Sequence, residues 1–79
     1  MKLFLSLSNS VLVGKISHGE YNLVIEKKTP SSQDLDFYIN GVLVTTGDLQ
    51  MAREWLKESD GEFLGKELDR AKRLAAHRH

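Results

Sequence analysis

The sequence predicts an α+β fold: an antiparallel four- to five-stranded β-meander followed by two C-terminal antiparallel helices packed on one face of the sheet. In the first half of the chain, short stretches of alternating apolar and polar residues are separated by turn residues. Asn40-Gly41 has the composition of a two-residue hairpin turn, since both residues tolerate positive φ. From Asp48 onward, apolar residues recur at steps of three and four, which is the spacing of helices.

The alternating segments predict strands at residues 3–7, 11–16, 21–26, 35–39 and 42–44. Because short turns join most of these segments, neighbours in sequence are expected to pair antiparallel. One face of the sheet should then be apolar and lie under the helices. The residues expected on this inner face are Leu3, Leu5, Leu7, Leu23, Ile25, Phe37 and Ile39.

The first helix is predicted to begin after Thr45, the hydroxyl of a capping box in which Asp48 is the carboxylate three residues later. Trp55 is expected to seal the joint between sheet and helices. The apolar stripe of this helix consists of Leu49, Ala52 and Leu56, flanked by Met51 and Trp55.

The second helix is predicted to follow a turn at Asp60-Gly61, where residues 59–62 repeat the capping-box spacing. Two acid-first pairs at a spacing of four, Glu62 with Lys66 and Asp69 with Arg73, each add about 0.2–0.5 kcal/mol to an isolated helix. Gly65 costs about 1 kcal/mol in a helix interior. It therefore indicates either a close approach between backbones or a later helix start.

Length and charge bound the possible functions. The 79 residues predict a single domain, with residues 1–45 forming the sheet and 46–79 a helical hairpin. The absence of cysteine excludes disulfides and thiolate metal sites, and suits a cytoplasmic protein. Eleven basic and eleven acidic residues give no positive excess for nucleic-acid binding. No run approaches the roughly 20 apolar residues that span a membrane, so no membrane partner is expected.

No constellation of catalytic residues is visible in the sequence. The histidines are His18, His77 and His79, and no Ser/His/acid set, phosphate-binding glycine loop or zinc-protease motif accompanies them. The acidic residues at the predicted helix junction are compatible with a cation, but helix capping explains them better. We therefore expect a protein that is not an enzyme and that has no cofactor and no metal.

The outer face of the predicted sheet offers candidates for partner binding. Asp36 and Tyr38 share one side of their strand, Glu26 lies on the third predicted strand, and Tyr21 begins that strand. Tyrosine beside carboxylates is suited to a protein partner with a basic surface. The alternative is an ordinary solvated sheet face, which composition alone favours.

The C-terminal third resembles a known family. Trp55, Gly61, Leu64-Gly65 and a later segment with Ala71 and a basic end are similar to small phage anti-CRISPR proteins, specifically the first-numbered inhibitors of the type I-F (Csy) surveillance complex. The chain length and an Asn-Gly hairpin followed by two helices are similar too. The resemblance implies a four-stranded antiparallel sheet with two helices packed on it.

By this resemblance, the protein would bind the backbone subunits that display the guide RNA and block hybridisation of target DNA, without catalytic residues or cofactor. The family uses aromatic and acidic residues on the sheet side against lysines of its target. Tyr21 is the residue with a counterpart, whereas Glu26, Asp36 and Tyr38 are candidates on physical grounds. The sequence departs from the family at Ser6, where the family has an aromatic residue, and in a shorter segment between Asn-Gly and Trp.

Two other classes of function stay open. One is a nucleic-acid-binding regulator that uses Lys66, Arg70 and Arg73 of the second helix, although the neutral net charge weighs against it. The other is a homodimeric, antitoxin-like interaction module that pairs through an edge strand.

Overall fold

The computed structural model of the protein describes residues 11–76. The predicted strand at residues 3–7, with Leu3, Leu5 and Leu7 of the inner face, and the histidines His77 and His79 lie outside these residues. The elements are β1 (Val11–His18), β2 (Tyr21–Lys27), β3 (Leu35–Ile39), β4 (Val42–Gly47), α1 (Leu49–Glu58) and α2 (Gly61–Ala76).

The four strands form one antiparallel sheet in the order β1-β2-β3-β4, which confirms the α+β meander with two C-terminal helices. Asn40 and Gly41 form the β3–β4 turn with φ values of 51° and 82°, the conformation for which an Asn-Gly pair is suited. Two β-bulges interrupt the register, one at Val13 of β1 and one at Val44 of β4.

The sheet extends further toward the helices than the sequence predicts. Thr45 and Thr46 pair with Phe37 and Asp36 in the sheet, because β-branched residues fit a strand. The boundary between sheet and helices therefore falls after Gly47 instead of after residue 45. Asp48 is the N-cap of α1 and accepts a hydrogen bond from the Met51 amide at 3.0 Å, so the expected capping role of Thr45 is wrong.

The core lies between the inner face of the sheet and the helices. Leu23, Ile25, Phe37 and Ile39 are fully buried, as the alternation predicted. α1 packs against β1, and α2 packs against β2 and β4. The other buried apolar residues are Leu35, Val44, Ala52, Trp55, Leu64 and Leu68.

Trp55 occupies the joint between sheet and helices, as predicted. Its ring centroid lies 5.0 Å from that of Phe37 and 4.8 Å from that of Phe63, with the second pair edge-to-face. Leu49 was expected in the stripe of α1 but is 50% exposed, because the buried face of the helix is centred on Ala52 and Trp55.

The α1–α2 junction is fixed by capping. Asp60 accepts a hydrogen bond from the Phe63 amide at 2.8 Å and so caps α2. The capping-box spacing of residues 59–62 had predicted this role for Ser59. Ser59 instead ends α1, where its backbone amide and its hydroxyl both donate to the Trp55 carbonyl. Glu62 pairs with Lys66 at 3.4 Å, as predicted.

Candidate protein-binding face

The face of the sheet opposite the helices brings three of the four candidate residues together. The β2–β3 register places Glu26 directly opposite Asp36 and Val24 directly opposite Tyr38. The β3–β4 register places Leu43 on the other side of Tyr38. We call this surface the outer face, and its central residues are Leu12, Val24, Glu26, Asp36, Tyr38 and Leu43.

Glu26 and Asp36 form a pair of like charges across neighbouring strands. Directly opposed residues on one face of an antiparallel sheet have Cβ atoms about 4.5–5.5 Å apart, and like charges at this spacing destabilise the sheet. The Lys28 ammonium lies 3.9 Å from Asp36 and offsets part of this repulsion. Within residues 11–76, Glu26 has no ion pair, so the outer face keeps a carboxylate that a cationic partner group can neutralise.

Apolar side chains border the acidic pair. Tyr38 and Val24 are half-buried side by side in the centre of the outer face. Leu12, opposite Glu26 on β1, is 56% exposed, and Leu43 on β4 is 49% exposed. Aromatic side chains are enriched in protein-binding surfaces, and the carboxylates beside them are complementary to a partner with basic groups.

Only 5% of Asp36 is exposed, so this residue affects a partner through its negative charge more than through direct contact. Glu26 is half-buried and is therefore the more accessible of the two carboxylates. A partner cation that approaches Glu26 also meets the field of Asp36 on the next strand.

Tyr21, the fourth candidate, lies on the other side of the sheet. It shares the inward side of β2 with the buried Leu23 and Ile25, and its ring packs where Gly65 leaves room on α2. Hydrogen bonding to Glu20 and the negative charge of that residue raise the pKa of the Tyr21 hydroxyl, which stays protonated at neutral pH. Tyr21 therefore supports the packing of α2 on the sheet and does not belong to the outer face.

Three of the four basic residues of α2 are paired with an acid on the same helix, and the fourth, Lys72, has no ion pair among the described residues. Lys66 pairs with Glu62 and Arg70 with Glu67. Arg73 pairs with Asp69 at 2.6 Å, as the sequence predicted. These pairs reduce the positive charge that a nucleic-acid-binding regulator would require on this helix surface.

In the part of the chain that the structure describes, no group of three histidine, cysteine or acidic side chains is placed to hold a metal ion. Over the same residues, neither helix has the length and apolar character needed to cross a membrane.

No family model, curated protein or solved structure matches this chain. The functional proposal is therefore based on the residues of the outer face and on the resemblance in the C-terminal third.

Three outer-face residues were not among the candidates from sequence. Val24 alternates with Leu23 and Ile25, so its outward direction was readable from period two. The position of Leu43 could also have been predicted, because the Asn40-Gly41 turn pairs Ile39 with Val42 and so places Leu43 opposite Tyr38. The position of Leu12 could not have been predicted, because the bulge at Val13 decides which residues of β1 face outward.

Proposed function

We propose that this protein is a phage anti-CRISPR inhibitor that binds the backbone subunits of a type I CRISPR surveillance complex and blocks hybridisation of target DNA to the guide RNA. The observation that carries the proposal is the outer face, where Tyr38 and two exposed leucines border the acidic pair Glu26 and Asp36. The choice of target follows the resemblance of the C-terminal third to the type I-F inhibitors.

The mechanism is occlusion and requires no catalysis. A guide complex holds its heteroduplex in a positively charged channel, which contacts the nucleic-acid backbone through basic residues. The carboxylates of the outer face compete for such residues. An exposed ion pair contributes only about 0–1 kcal/mol, so burial of Tyr38 and of the leucines beside it supplies most of the affinity.

The test is a DNA-binding competition. A purified type I-F surveillance complex loaded with guide RNA is mixed with labelled target duplex at physiological salt, with and without the protein. We expect the wild-type protein to abolish the shifted DNA band and to co-migrate with the complex. Full target binding by the complex at saturating protein would overturn the proposal.

Two matched variants locate the inhibition on the outer face. Glu26→Lys reverses a charge of the acidic pair and is expected to weaken inhibition at least tenfold. Glu54→Lys makes the same charge change on the exposed side of α1 and is expected to leave inhibition unchanged. Equal inhibition by both variants would remove the outer face from the mechanism.

The same assay separates the nucleic-acid-binding alternative. A regulator that reads DNA would shift the labelled duplex in the absence of any complex. We expect no such shift, because the chain has no net positive charge and three of the four basic residues of α2 are paired with acids on their own helix.

A further inference from the structure

Among the strands that the structure describes, β4 lies at an edge of the sheet, and it carries few of the features that protect edge strands. Its only partner among the described strands is β3, so alternate backbone amides and carbonyls point away from the sheet. Residues 42–47 contain no charge and no proline, two of the features that keep edge strands from pairing. At the other end of the described sheet, β1 carries Lys15. The protective feature that β4 does have is the bulge at Val44.

A shallow groove of about 370 Å³ runs between this edge and the last turns of α2. Its walls contain no charged residue. Leu43 and Leu74, which are 49% and 57% exposed, both border it. The lining residues are Leu43, Val44, Thr45, Thr46, Ala71, Leu74 and Ala75.

We propose that a second copy of this chain occupies the groove, and that two β4 strands pair antiparallel across a two-fold axis to form one continuous sheet. A two-fold interface brings a surface against itself, so any net charge on it would be repelled by its copy. The β4 edge and its groove are uncharged and therefore self-complementary. The outer face, with its acidic pair, is not.

The α2 helices fit the same arrangement. The two-fold axis of an antiparallel β4 pair stands perpendicular to the sheet, so both copies keep their helices on the same side. Ala71 and Ala75 lie one turn apart and allow two helices to approach closely. Leu74, exposed in one copy, is then covered by the other.

The dimer should be weak. The groove offers seven lining residues in each copy, against about 20–30 in a standard stable interface. Main-chain hydrogen bonds between the two edges supply much of the attraction, as in strand addition to sheet edges. We therefore expect dimers that dissociate on dilution.

Both outer faces lie on the same side of the extended sheet, and of their central residues only Leu43 borders the groove that the second copy covers. The dimer thus displays two copies of the outer face for one partner surface. This inference stands on the β4 edge alone and does not depend on the proposed function.

The test is sedimentation equilibrium of the purified protein from about ten micromolar to one millimolar. We expect the wild-type mass to rise from monomer toward dimer. Leu74→Glu, which places a charge in the groove, should raise the dissociation constant at least tenfold. Leu49→Glu is the matched control, since Leu49 is 50% exposed on α1 and outside the groove, and it should dimerise as the wild type does.

A second variant and a second readout keep the test independent of any change in α2. Thr46→Lys adds a charge to the exposed edge and should also give monomers, with unchanged circular dichroism. Amides of residues 42–47 should exchange more slowly at high protein concentration. A wild-type monomer at one millimolar, or dimerisation that Leu74→Glu and Thr46→Lys leave unchanged, would overturn the proposal.

Discussion

At the scale of single residues, the opposed carboxylates of the outer face are the feature that packing alone does not explain. Glu26 and Asp36 repel each other across neighbouring strands, and the Lys28 ammonium at 3.9 Å is mostly exposed. Natural sheets usually place opposite charges at such positions because these stabilise the pair. Two acids at these positions lower the stability of the sheet but make its surface negative, which is expected of residues that bind a partner.

Glu26→Lys should therefore stabilise the fold while it weakens partner binding. The new ammonium lies opposite Asp36, and an opposite-charge pair contributes about 0.2–1 kcal/mol to sheet stability. Urea denaturation followed by circular dichroism measures the free energy of unfolding, with Glu26→Gln expected between wild type and Glu26→Lys. Asp36 is a poorer probe, because a lysine there would be nearly buried beside Lys28. A less stable Glu26→Lys variant would show that the two carboxylates do not repel.

At the scale of elements, α2 is positioned by a contact between Gly65 and the Tyr21 ring. A Cβ atom on Gly65 would lie 2.9 Å from the Tyr21 hydroxyl oxygen and 3.1 Å from the ring carbon that bears it. The sequence predicted a close approach between backbones at this glycine or a later helix start. The neighbour of Gly65 is instead the side chain of Tyr21 from β2, and α2 begins at Gly61, as predicted.

A double-mutant cycle tests this contact. Alanine at position 65 gains about 1 kcal/mol of helix propensity over glycine, but in the wild type it also displaces the Tyr21 ring. We expect Gly65→Ala to stabilise the protein more in a Tyr21→Ala background than in the wild type, as measured by urea denaturation. Equal effects in both backgrounds would mean that Tyr21 and Gly65 are not coupled.

At the scale of the whole molecule, one small core holds the sheet and both helices. Proteins have about 0.05–0.15 kcal/mol of stability per residue, which for this chain is roughly 4–12 kcal/mol. Trp55 joins the three parts of the core, since it contacts Phe37 of the sheet and Phe63 of α2 from its place in α1.

Trp55→Ala should accordingly remove a large part of this stability. Large-to-small substitution of a buried tryptophan costs about 3–5 kcal/mol. Circular dichroism during thermal and urea denaturation measures the loss, and Leu49→Ala on the exposed side of α1 should change stability by less than about 0.5 kcal/mol. Wild-type stability of Trp55→Ala would mean that the tryptophan is not part of the core.

The side of the sheet on which a residue of a regular strand lies was predictable from sequence. The features that depend on the pairing of strands, such as register and bulges, were not. Alternation identified Leu23, Ile25, Phe37 and Ile39 as inner-face residues, because period two fixes the side of a regular strand. It could not place Leu12, since the bulge at Val13 puts Leu12 on the opposite side of the sheet from Gly14 and Ile16, against the period of two.

The candidate site followed the same division. Asp36 and Tyr38 were assigned to one face from alternation, but their pairing with Glu26 and Val24 required the strand register. Tyr21 was chosen for its chemical type and its counterpart in the resembling family. The structure places it against α2, because it shares the inward side of β2 with Leu23 and Ile25.

Site-specific crosslinking tests most directly whether the outer face contacts the surveillance complex, as we propose. Tyr38→p-benzoylphenylalanine keeps an aromatic ring at the centre of the outer face, and Leu49→p-benzoylphenylalanine places the same group on the exposed side of α1. After irradiation with the complex, we predict adducts between position 38 and a backbone subunit, and none from position 49. Adducts from position 49 without any from position 38 would contradict the proposal.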